Sequence, residues 1–185
     1  TFALAWAALG HSYLLMQWQG DRSGDYALDR MKAALDKALE LDPNLGEAHN
    51  ALGYLYADMR NFEKSLEHFK KYASLNPGDA NPLDSTAEAY FLMGRLDEAI
   101  AKYKEVLEVK PDFSEVSLKI GYICALKEDY PEAMKWVDKE IAMASSPVAK
   151  REGYLYKGFC HFWLSNLEKS LVDLQKSVEL AEAAG

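Results

Sequence analysis

A period of 34 residues constrains this chain more than any other feature. Pro43, Pro77 and Pro111 stand 34 apart, and Gly53, Ala87 and Gly121 keep the same interval. Gly10 and Gly158 extend the series, with one insertion of nine residues and one of three. A fixed period of this length marks an array in which each repeat is one supersecondary unit. Five units are expected, near 3–45, 46–79, 80–113, 114–150 and 151–185, as a single array over 1–185 with the nine-residue insertion near 17–26.

Each unit has two halves. The first carries apolar residues three and four apart around the small residue, as in Leu52, Gly53 and Tyr56, which is one face of an α-helix. The second opens on a turn, at RNFEKS (60–65), GRLDEA (94–99), EDYPEA (128–133) and SNLEKS (165–170). Asn61, Asp129 and Asn166 are suited to cap a helix there. Pro131 falls where a missing N–H costs nothing. The later prolines end the second helix, because the residue before proline avoids the helical region. The spacing predicts an all-α chain of ten helices. First helices are expected near 2–19, 45–58, 79–93, 113–127 and 148–164, and second helices near 25–41, 61–75, 95–109, 130–144 and 167–182.

These residues resemble the tetratricopeptide repeat family, whose pattern is W-x2-L-G-x2-Y, then A-x3-F, then P. The first unit offers Trp6, Leu9, Gly10, Tyr13 and, after its insertion, Met31, Leu35, Ala38 and Pro43. The second offers Leu52, Gly53, Tyr56, Ser65, Phe69 and Pro77, and the third Ala87, Tyr90, Ala99, Tyr103 and Pro111. The fourth departs at Cys124 and Val137, and the fifth lacks its proline. The resemblance implies an α-α superhelix, or solenoid, of helix-turn-helix repeats. One helix pair cannot bury its apolar face alone, so neighbours stack. From Thr1 to Gln19 no side chain is charged, but His11 and Gln17 interrupt the run, no basic stretch precedes it, and it is expected as a buried amphipathic helix.

Catalysis finds little support. His11 and Ser12, like Cys160 and His161, are sequence neighbours on a helix and point in different directions. Cys124 and Cys160 are expected as small core residues. His49 is expected between helices and His68 on the polar side of its helix. No phosphate-binding glycine loop is present, and four scattered histidines suggest no metal site. No enzyme activity and no cofactor are therefore expected. The net charge of −8 argues against nucleic acid and against an anionic membrane face.

A binding groove remains. The resemblance implies ligand contacts from the first helices, at the second, fifth, ninth and neighbouring positions of each unit. Those positions give Glu47, Asn50, Tyr54, Asp84, Glu88, Lys119, Tyr122, Leu155, Phe159 and Trp163, with Glu115, Leu118 and Glu152 beside them. Acidic residues with aromatic platforms suit a protein or peptide carrying Lys or Arg and apolar anchors. Glutamates near a helix start are also favoured by the helix dipole with no ligand, which would account for Glu47, Glu115 and Glu152. It does not account for Asp84, Glu88 or exposed Tyr54 and Phe159, although those aromatics could instead pack within the groove. The clamp that grips acidic chaperone tails is set aside, since Ala7, His11, Glu47, Asn50, Asp84 and Glu88 stand where it needs Lys, Arg and Asn, and only Asn50 fits. The chain is thus expected to be a non-enzymatic protein–protein interaction scaffold, with homo-oligomerisation through its ends or groove as the alternative. The start without Met and the end at AEAAG suggest a segment of a larger protein. The resemblance implies a bacterial signalling context, and the unpaired-looking cysteines favour the cytoplasm.

Overall fold

The computed structural model describes residues 2–18, 25–113 and 115–183. It contains ten helices and, among the described residues, no strand. They are α1 (Phe2–Trp18), α2 (Asp25–Leu41), α3 (Gly46–Asp58), α4 (Phe62–Leu75), α5 (Ala80–Leu92), α6 (Leu96–Val109), α7 (Val116–Leu126), α8 (Tyr130–Met143), α9 (Pro147–Trp163) and α10 (Leu167–Ala183). They group into two compact units, Thr1–Val109 with α1–α6 and Lys110–Gly185 with α7–α10. The ladder of helix-turn-helix pairs is the all-α solenoid class expected from the period. Much of the insertion near 17–26 lies outside the described residues.

The four pairs from α3 to α10 turn in the same way. The first helix ends on a left-handed residue: Arg60 (φ 59°), Gly94 (φ 71°), Glu128 (φ 61°) and Ser165 (φ 59°). The next N–H reaches back five residues, Asn61 to Tyr56 O at 2.8 Å, and Arg95, Asp129 and Asn166 do likewise at 2.9 Å. This closure satisfies carbonyls that a helix end leaves orphaned. The following helix is then capped: Asn61 accepts from Lys64 N–H (3.3 Å) and Asp129 from Glu132 N–H (3.2 Å). Asp79 and Ser146 cap α5 and α9 in the same manner.

In four of the pairs a glycine of the first helix faces the anchor of the second helix. A Cβ at Gly10 would overlap Leu35, one at Gly53 the Phe69 ring, and one at Gly158 Leu174. Only a missing side chain lets the helices approach so closely. At Gly121 the opposing anchor is the smaller Val137, and the fit is looser. Leu35, Phe69 and Val137 are almost wholly buried.

Three expectations are corrected. α1 is a helix but not an amphipathic one, because Trp6 and Leu9 are exposed while Ala3, Ala7, Gly10 and Leu14 form its buried face. Among the described residues no helix is long and apolar enough to cross a membrane. His68 does not lie on a polar face: its Nδ1 sits 3.0 Å from His49 Nδ1 and its ring stacks on Tyr56 at 5.4 Å. His49 donates its other ring N–H to Pro43 O at 3.1 Å, so its Nδ1 accepts from His68. Finally, α7 begins three residues late, because Glu115 takes a left-handed conformation (φ 65°). Buried Glu140 accepts the Glu115 N–H, and burial pushes the Glu140 carboxyl above the usual carboxylate range.

Candidate functional site

In the first unit, charge separates by helix. α1 carries no charged side chain, while α3 and α5 carry Glu47, Asp58, Asp84 and Glu88 with no lysine or arginine. Arg60 and Arg95 stand in the turns, but most of the unit's cations lie on the second helices, among them Lys32, Lys64 and Lys102. There they pair with acids one turn away, as in Lys32–Asp36 (2.6 Å) and Lys102–Glu105 (2.7 Å). Such exposed pairs add little stability, but they mix the two signs of charge along the second helices, whereas α3 and α5 carry acids alone.

Glu47 is exposed in the first turn of α3. One turn on, half-buried Asn50 accepts from Ser85 Oγ at 3.2 Å. The serine has one proton and gives it to Asn50, so the Tyr54 hydroxyl, 3.3 Å away, donates to Ser85 Oγ. This chain ties α3 to α5. Tyr54 also meets the Phe69 ring edge-on at 5.0 Å. Tyr54 is therefore half-buried in the helix seam and not exposed as expected: with Phe69 pressed onto Gly53, the neighbouring Tyr54 ring fills the space beside it. Asp84 and Glu88 are half-buried on α5. Burial, then the charges of Glu88 and Asp84, push the Tyr54 hydroxyl up to about 12. Burial and the same two carboxylates also raise Tyr103.

A cavity of about 310 Å³ opens between α1 and α3. Leu4, Ala7, Ala8 and His11 of α1 face Glu47 and Asn50 of α3, and Tyr72 of α4 closes one side. No groove position pointed to Tyr72, whose ring packs over Gly46: a Cβ there would lie 3.2 Å from the ring and 2.7 Å from Asn76 Nδ2.

In the second unit, Lys119 and Tyr122 of α7 line a cavity of about 150 Å³ with Glu115, Leu118, Glu152 and Tyr156. The Tyr122 and Tyr156 rings meet edge-on at 6.0 Å. Leu118, at 6% exposure, belongs mainly to the core. Arg151 reaches Glu152 at 3.4 Å, so with Lys119 this surface is mixed in charge. Leu155, Phe159 and Trp163 step four residues at a time along α9, at 37%, 48% and 64% exposure. Cys124 and Cys160 are buried, and burial raises the Cys160 thiol. Among the described residues, no three His, Cys, Asp or Glu side chains cluster to hold a metal.

Residues 46–79 match the family described as tetratricopeptide repeat, and residues 87–127 the family described as TPR repeat. Anaphase-promoting complex subunit 3 of Schizosaccharomyces pombe is 24% identical over 147 residues, covering 80% of this chain and 22% of that protein. Hsp70-Hsp90 organizing protein 2 of Arabidopsis thaliana is 22% identical over 111 residues, covering 60% and 19%. The chain spans about a fifth of the length of these relatives. The crystal structure of a thermophilic TPR protein of Thermus thermophilus superposes with a TM-score of 0.70 at 18% identity, over 97% of this chain and 92% of that one. With two repeats matched directly and the same helix pair recurring along the described residues, the chain is a tetratricopeptide-repeat protein.

Proposed function

We propose that the chain is a non-enzymatic protein–protein interaction scaffold whose first-helix surface in the first unit receives a basic peptide or basic segment of a partner. The observation that carries this reading is the charge separation: Glu47, Asp84 and Glu88 with no lysine or arginine on their helices. The helix dipole accounts for Glu47 but not for Asp84 and Glu88, which lie beyond the first turn. Carboxylates on an open surface steer a cationic partner and repel an acidic one. Taken by itself, the second unit exposes Tyr122, Phe159 and Trp163, aromatics suited to bind apolar groups. The kinship with a complex subunit and with a protein named for organising Hsp70 and Hsp90 supports a scaffold role. An acidic chaperone tail is a poor fit to the carboxylates here.

The test is fluorescence anisotropy with labelled peptides that combine Lys, Arg and Leu, against a set with Asp and Glu in place of the cations. The basic set binds and weakens as salt is raised. Equal binding of both sets, or binding of the acidic set alone, would overturn the reading.

A further inference from the structure

We propose that the cavity between α1 and α3 seats one arginine or lysine side chain of the partner, with Glu47 as its counter-charge. This rests on the basic-partner reading above and deepens it by naming the anchor. The walls define the ligand chemistry. α1 offers Leu4, Ala7 and Ala8, an apolar surface for an aliphatic stem. Glu47 stands across from them, and no lysine or arginine lines the cavity. Among the described residues, no cation pairs with Glu47. Tyr72 contributes a ring of the kind over which a cation settles. Its hydroxyl is raised by burial and then by the charges of Asp79 and Glu47, so it lies in a negative field. An anionic group would meet Glu47 unscreened by any lysine or arginine, and a purely apolar group would bury that carboxylate unpaired. Asn50 spends its Oδ1 on Ser85, which leaves its amide N–H groups for a main-chain carbonyl of the same peptide. At about 310 Å³ the space holds a long side chain and the backbone that carries it.

The probe is a short labelled peptide of Ser, Gly and Leu with a single arginine, compared with the same peptide carrying citrulline, which keeps the shape and loses the charge. On the parent protein, citrulline weakens binding at least tenfold. On Glu47→Gln, the arginine peptide drops to the citrulline level and the two peptides bind alike. On Asp84→Asn, outside the cavity, the discrimination persists. Circular dichroism confirms the fold of each variant. If Glu47→Gln still discriminates as the parent does, or if Asp84→Asn abolishes discrimination, the cavity is not the seat, while the basic-partner reading stands. If no basic peptide binds the parent at all, both readings fall.

Discussion

Arg60, Gly94, Glu128 and Ser165 occupy one repeat position and one left-handed conformation, yet only one of them is glycine. For a side-chain-bearing residue this conformation costs about 1–2 kcal/mol. Replacing Arg60, Glu128 or Ser165 with glycine removes that strain, at the cost of a more flexible unfolded chain. Each replacement is expected to raise stability by up to about 1 kcal/mol, while Gly94→Ala lowers it by a similar amount. Urea unfolding checks this through a shifted midpoint at unchanged slope; a fall in stability for all three glycine variants would contradict it. The turn was legible in the sequence, since the six-residue motifs align without gaps, but its handedness was not, because only Gly94 announces it. His68 was misread for a related reason. Helical periodicity places it outward, and only the fold shows that His49 and Tyr56 come round to meet it.

At the scale of helices, α3 and α5 are joined by the Asn50–Ser85–Tyr54 chain. Folded Tyr54 holds its proton up to about 12, whereas an unfolded tyrosine releases it near about 10. Between these values the unfolded state binds fewer protons, so stability falls as pH rises. The contribution is whole below about pH 10 and is lost as pH rises through about 12. Tyr54→Phe is expected to flatten that part of the alkaline stability profile and to cost about 1 kcal/mol at neutral pH through the lost hydrogen bond. Denaturant midpoints across the alkaline range measure both, and an unchanged alkaline slope would contradict the seam position of Tyr54. Helix boundaries were readable to within a few residues because prolines and caps punctuate them. The left-handed Glu115 just before α7 was not, since no glycine or asparagine announces it.

At the scale of the molecule, the repeat determines which helices supply an exposed surface, and composition determines its charge. The acidic positions Glu47, Asp84 and Glu88 could be read from the register alone. The cavity beside Glu47 could not, because Tyr72 reaches it from a second helix over Gly46. The aromatic positions of the second unit were legible, but their partner Tyr156 was not. The central claim is that the carboxylates of α3 and α5, within the first unit, receive a basic partner. Its most direct test is the binding kinetics of a basic, leucine-containing peptide at two ionic strengths, on the parent and on Asp84→Asn with Glu88→Gln. The neutralised variant is expected to associate more slowly and to lose most of its salt dependence, because charge chiefly sets the encounter rate. Association rates and a salt dependence that match the parent, with folding intact by circular dichroism, would contradict the account.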